Sequence, residues 1–252
     1  MSTKGVFYGG ISGLHIPIPK RDFPPEFADK SRLNFYASLF NSIEINSSFY
    51  KLPLAKTVAK WALDVPDNFK FTYKLWRDIT HNKDLLFKPE DVDRFIQVIN
   101  HADDKKGCLL VQFPPSITVA CRGQLEYLLS VIRNIDLNEE WKLAVEFRHR
   151  SWYDDGVYEL LQKYKASFVI QDMPASVSPL VTLADDVVYL RFHGPNGGYR
   201  GSYADDFLYE YAQYAKEWLT EGKDLYAYFN NTMGDAINNL MMLKNFLEPE
   251  EL

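Results

Sequence analysis

A strand signal repeated eight times, with a helical stretch after almost every repeat, restricts this chain more than any other feature. Apolar, β-branched or aromatic runs cover residues 6–10, 42–46, 70–74, 108–113, 142–147, 167–171, 187–193 and 224–230, each the length of one strand. The stretches between them carry helical spacing, as in Val92/Phe95/Ile96/Ile99, Leu125/Leu128/Leu129/Ile132 and, last in the chain, Ile237/Leu240/Met241. Helix starts are marked by Pro89 followed by Glu90 and Asp91, and by Ser202 with Asp205 three residues on. One repeat is defective: residues 172–186 carry Pro174 and Pro179, so a loop is expected in place of the sixth helix. Alternating β and α elements dictate a parallel sheet, and eight strands can close it. The expected fold is α/β, a single TIM-type (β/α)8 barrel domain spanning residues 1–252. An open doubly wound sheet would need a phosphate fingerprint in its first βα turn, and GGISGLHIPIP leads into prolines rather than a helix.

The runs turn polar only at their C-terminal ends, where Glu44/Asn46, Glu146/Arg148 and Arg191/His193 are spaced i, i+2. Residues two apart on a strand share a face, about 6.5 Å apart. A solvated face would be polar along its whole length, whereas a barrel with chemistry at its mouth shows this pattern. Collecting the strand ends gives Ser12, Glu44, Asn46, Lys74, Gln112, Glu146, Arg148, Asp172, Arg191, His193, Asn230 and Asn231. Ionised groups there must face one another, water or a ligand, because burying them unpaired is costly. Glu44, Glu146 and His193 are the candidates for proton transfer. Asn46, Lys74, Gln112, Arg148, Asp172, Arg191, Gly197, Gly198 and Asn230 are the candidates for ligand binding. The structural alternative makes Glu146/Arg148 an internal ion pair and His193 a core histidine bonded to a glutamate.

Two connections stand out. Residues 75–88, with Trp76, Arg77 and His81, exceed a typical βα loop and suit either a lid or a packed excursion. Residues 194–203, with Gly194, Gly197, Gly198 and Gly201 before a helix start, suit an oxyanion held jointly with Arg191 and Arg148. Phe49, Tyr50, Trp152, Tyr199 and Tyr203 lie near loop starts and either stack on a ligand or pack.

Charge and cysteines narrow the function classes. A net charge of -6 argues against a protein that coats nucleic acid or anionic membrane. Cys108 lies inside an apolar run and neither cysteine belongs to a CxxC pair, which reads as a buried thiol. Lys74, Arg148 and Arg191 would crowd a divalent ion, so neither metal nor cofactor is expected; Glu44, Glu146, Asp172 and His193 form the alternative metal set. With no signal-peptide pattern at the start and no apolar stretch of spanning length, a soluble cytoplasmic protein is expected.

The segments FNSIEINSSFYKLP, LLVQFPPS, AVEFRHRSW, YLRFHG and YAYFNNTMGDAINNL resemble, in order and over nearly the whole chain, the YecE-like family, known as domain of unknown function 72. The resemblance implies a TIM-type barrel and no established activity; the label "sugar isomerase-related" rests on distant fold similarity. The family's usual GxSGW after the first strand reads Gly10-Ile11-Ser12-Gly13-Leu14 here, with His15 next, so ligand stacking by that tryptophan is lost or changed.

Three functions fit these residues. The first is a metal-independent barrel enzyme doing acid/base chemistry on an anionic or polyhydroxylated small molecule, sugar- or phosphate-containing. The second is a divalent-metal hydrolase or phosphodiesterase, and the third a non-catalytic nucleotide- or nucleic-acid-binding barrel. The balanced charge of the mouth favours the first.

Overall fold

The computed structural model describes residues 4–183 and 186–248. The strands β1 (Phe7–Ile11), β2 (Ser42–Ile45), β3 (Lys70–Lys74), β4 (Lys106–Gln112), β5 (Lys142–Glu146), β6 (Ala166–Gln171), β7 (Val187–Phe192) and β8 (Asp224–Phe229) form one sheet in the order β1-β8-β7-β6-β5-β4-β3-β2. Every pairing is parallel, so the expected TIM-type barrel is what the chain forms.

The helices are α1 (Arg32–Leu39), α2 (Ser47–Tyr50), α3 (Ala55–Leu63), α4 (Arg77–Thr80), α5 (Pro89–Ile99), α6 (Arg122–Ile135), α7 (Asp155–Lys163), α8 (Asp205–Thr220) and α9 (Ala236–Leu247). On α5 the residues Val92, Phe95, Ile96 and Ile99 are buried, and on α6 Leu125, Leu128, Leu129 and Ile132, a continuous stripe laid on the sheet. Pro89 opens α5 at its first position, where its missing N–H leaves no bond unmade. Between β6 and β7 stands a single 3-10 turn, Pro174–Ser176; residues 184 and 185 of that connection lie outside the described segments.

Two sequence expectations at the chain's end are corrected. Ser202 does not cap α8: the helix starts behind Ala204 with no side-chain cap, because the Ser202 hydroxyl instead bonds Asp235 and Asn239. On α9, Met241 is exposed while Asn239 and Leu243 are buried. The face is turned by Asn239, which binds Asn231, Ser202 and the Tyr203 backbone.

Inside the barrel, Cys108, Leu110, Ala144, Val169, Val187, Tyr189, Tyr226 and Tyr228 pack together, with Tyr8 against them. The Tyr228 hydroxyl meets Ser42 Oγ at 2.5 Å and Thr72 Oγ1 at 2.7 Å, so a wide aromatic ring is seated with its polar end satisfied. Gly10 makes room for the turn of the wall, since a Cβ there would lie 2.3 Å from the Ser42 carbonyl oxygen.

Closure between β1 and β2 is made by side chains. The two strands share one parallel bridge, Ser12 to Glu44. Below it, Asn41 accepts from Gly9 N at 3.0 Å and donates to Phe7 O at 2.7 Å. The Tyr36 hydroxyl accepts from Ile11 N and donates to Ser42 O, both at 2.9 Å. A strand edge left open inside a protein would strand these backbone groups, and the two side chains stand in for the missing ladder.

Candidate functional site

Period-two alternation on β7 points Tyr189, Arg191 and, just beyond the strand, His193 into the barrel one above another. Arg191 is the centre of what they meet. Its NH2 donates to Glu44 Oε1 at 2.7 Å and its Nε to Glu44 Oε2 at 3.0 Å, while NH1 donates to Glu146 Oε2 at 2.7 Å. Glu44 and Glu146 are fully buried, and one guanidinium thus bridges carboxylates contributed by β2 and β5, strands separated in the sheet by β3 and β4. Ser12 Oγ and the Tyr189 hydroxyl donate to the remaining Glu44 sites at 2.6 and 2.7 Å. Arg148 Nε donates to Glu146 Oε1.

Burial alone would raise both carboxyls. The charge and hydrogen bonds of Arg191, with Ser12 and Tyr189, outweigh it at Glu44; Arg148 and Arg191 outweigh it at Glu146. Both are held below the usual carboxylate range. For Arg191 burial pulls the other way, but Glu146 and Glu44 keep it firmly charged.

His193 is equally enclosed. Its Nε2 lies 2.8 Å from Arg148 NH2, and a guanidinium only donates, so Nε2 is an acceptor and the proton sits on Nδ1. Nδ1 faces Asp172 Oδ1 at 3.2 Å, which also takes the His193 backbone N–H at 2.7 Å. Asp172 is anchored in turn by the Tyr203 hydroxyl. Burial, followed by the nearby guanidiniums, keeps the ring neutral, its pKa below the ordinary value despite Asp172 and Glu146. Glu44, Glu146 and His193 therefore converge, as their spacing suggests, yet all three are buried with their polar atoms occupied.

Above this network a cavity of about 270 Å³ opens at the mouth, lined by Asn46, Phe49, Tyr50, Lys74, Arg191, Tyr199, Asn230, Thr232 and Met233. Lys74 lies on its wall. The amine lies over the Phe49 ring, 4.1 Å from the centroid, and burial, then Arg191, push its pKa down to about 7 against the pull of Glu146 and Glu44. A larger cavity of about 660 Å³ lies at the other end, among Val6, Phe7, Phe40, Leu219 and Leu240. It faces the N-terminal ends of the strands, where barrel conservation serves stability rather than chemistry, and among the described residues it gathers no convergent charged network.

The remaining candidates divide. Asn46 and Asn230 line the cavity, and Asn46 Oδ1 lies 3.5 Å from Arg191 NH2. Gln112 donates to the Phe113 carbonyl oxygen instead. Gly197 packs beside Pro174 and Met173, its amide donating to Gly194 O, while the Tyr199 amide donates to His193 O. The 194–203 loop thus turns two of its amides inward, and the Arg191 donors it was to be paired with are on Glu44 and Glu146. Residues 75–88 are the packed excursion, with Ile79 and Leu85 buried. Trp152 stacks on Phe147 in the core, and Tyr203 serves Asp172. Tyr189 was not singled out by the sequence reading; its position two before Arg191 was the available signal. Among the described residues, no three of His, Cys, Asp and Glu gather as a metal site, and no helix is long and apolar enough to cross a membrane.

Eight parallel strands around a charged, hydrogen-bonded mouth define a TIM-type barrel protein with a candidate small-molecule site at the C-terminal strand ends. The chain belongs to the family described as "Protein of unknown function DUF72", whose model matches residues 10–252. It is 28% identical over 260 residues to the UPF0759 protein YunF of Bacillus subtilis (strain 168), covering 90% of each chain. To the UPF0759 protein YecE of Escherichia coli (strain K12) it is 27% identical over 127 residues, 50% of this chain and 45% of that protein. A DUF72 family protein of Thermotoga maritima MSB8 superimposes with a TM-score of 0.77 at 26% identity, covering 97% of this chain and 100% of that one. One from Enterococcus faecalis V583 shares the fold with a TM-score of 0.78 at 21% identity, covering 98% and 100%.

Proposed function

We propose that this protein is a metal-independent barrel enzyme that performs acid/base chemistry on a small anionic or polyhydroxylated molecule. Lys74 is the proton-transfer residue. The observation that carries this reading is the placement of the Lys74 amine, which borders the mouth cavity with its pKa pushed down to about 7, where a general base works best. Asn46, Asn230 and Thr232 offer donors and acceptors to hydroxyls, and Phe49, Tyr50 and Tyr199 offer ring faces to a sugar. Glu44, Glu146, Arg148 and Arg191 act as a fixed electrostatic floor beneath the ligand, setting with burial the charge on Lys74.

The test is a thermal-shift titration with D-ribose 5-phosphate, D-glucose 6-phosphate and inorganic phosphate. A ligand present at a hundredfold its Kd stabilises the fold by about 2.7 kcal/mol. At least one sugar phosphate is expected to raise Tm more than phosphate does, and Lys74→Gln should reduce that rise. No shift from any of the three, or equal shifts in wild type and Lys74→Gln, would overturn the assignment.

A further inference from the structure

Lys74 ends β3 with its backbone fixed: its carbonyl oxygen accepts from Ser48 Oγ at 2.8 Å. Its side chain crosses the face of Phe49, which is held edge-on by Tyr50 and His81 with ring centroids 5.0 and 4.8 Å away. The amine is aimed along one wall of the cavity rather than free to sweep through it. Among the described residues it has neither a hydrogen bond nor an ion pair, because the nearby carboxylates are taken: Glu44 by Arg191, and Glu146 by Arg191 and Arg148.

The groups that face it decide its chemistry. Arg191 on β7 and Arg148 beyond β5 oppose a charge on the amine, Glu146 on β5 and Glu44 on β2 favour it, and His81 beyond α4 lies close by and is itself kept neutral. A lysine tied to a carboxylate is a fixed cation and a poor nucleophile. One without a hydrogen-bonded partner, buried and beside the Arg191 guanidinium, keeps its lone pair available.

We propose that Lys74 forms an imine with the carbonyl carbon of a small hydroxylated aldehyde or ketone bound among Asn46, Tyr199, Asn230 and Thr232. This rests on the reading that the mouth cavity takes a polyhydroxylated molecule, and it names the functional group that molecule must carry. In the step itself, the Nζ lone pair forms the C–N bond as the carbonyl π pair moves to oxygen. The carbinolamine then loses that oxygen as water, carrying both amine protons, and a C=N bond remains. A solvent proton on nitrogen gives the iminium, so nothing is oxidised or reduced. The iminium places its positive charge where the ammonium would lie, on the Phe49 face and within the field of Glu44 and Glu146.

The experiment incubates the protein at pH 7 with glycolaldehyde, or with glyoxylate as its anionic counterpart, and sodium cyanoborohydride, which reduces an iminium to a stable secondary amine. Peptide mapping then reports which lysines are labelled. An amine titrating near neutrality holds far more free base at pH 7 than an ordinary lysine, so Lys74 should label at least about tenfold faster than the exposed Lys51 and Lys56. Labelling at Lys74 no faster than at Lys51 overturns the imine. If D-ribose 5-phosphate still raises Tm under that outcome, the acid/base reading survives alone; if it does not, both fall.

Discussion

Replacing Arg191 with Met should cost about 3–5 kcal/mol of stability at pH 7, the range for leaving a buried charge without its partner. Methionine fills much of the same channel without a cation, so the loss is electrostatic rather than a cavity. Glu146 retains Arg148, and most of the penalty falls on Glu44, whose surviving partners, Ser12 and Tyr189, are neutral. For a chain this long, that loss lowers Tm by on the order of 10 °C. The pH dependence has a definite sign. In the wild type the Glu44 and Glu146 carboxyls lie below their ordinary range, so their contribution persists above the unfolded-state pKa and is lost only as pH falls through the depressed values. In Arg191→Met, burial raises Glu44 above its unfolded value, so the penalty is present at pH 7 and shrinks as protonation proceeds toward about pH 5. Urea unfolding of both proteins at the two pH values measures this. A loss under about 1 kcal/mol at pH 7, or a gap that widens at pH 5, would refute the buried-bridge account. The double variant Arg191→Met with Glu44→Leu should recover most of the loss, since apolar replacement of a whole buried pair is often neutral.

Tyr36→Phe removes the two Tyr36 hydrogen bonds of the β1–β2 seam and should cost about 2–4 kcal/mol, from two buried backbone groups left unmet; a urea-unfolding loss below about 1 kcal/mol would mean that Asn41 and the Ser12–Glu44 bridge hold the seam without it. Lys74, depressed to about 7, leaves the unfolded chain with the extra proton up to its ordinary pKa, so wild type should gain stability over Lys74→Met between pH 7 and 9. The gain is on the order of 1 kcal/mol per pH unit, and a pH-independent difference in urea midpoints would show that Lys74 is charged throughout. Cys108 is buried with its thiol pKa raised by desolvation, so a thiol reagent should titrate Cys121 alone in the native protein and both cysteines in urea; rapid native labelling of Cys108 would contradict the packed interior.

Local pattern determined much of this protein. The eight strands, the helical stripes on α5 and α6, the proline-broken connection after β6 and the crowding of polar groups at the strand ends are all written in windows of a dozen residues or fewer. That is the range over which side-chain periodicity and φ restriction act. Even the convergence of Glu44, Glu146 and His193 follows, because period two on parallel strands sends those side chains into one barrel. Tertiary structure decided which charge meets which. Arg191 bridges Glu44, 147 positions away, and Glu146, 45 positions away, and nothing near either acid in the sequence distinguishes that cation from Lys74 or Arg148. The same long-range geometry put Tyr36 and Asn41 into the β1–β2 seam and turned α9 around Asn239. It also left Lys74 over Phe49 with no carboxylate to itself. Pairing and desolvation depend on distances between residues far apart in the chain, which sequence spacing does not carry, and here they separate the groups that are satisfied from the Lys74 amine at the wall of the mouth cavity.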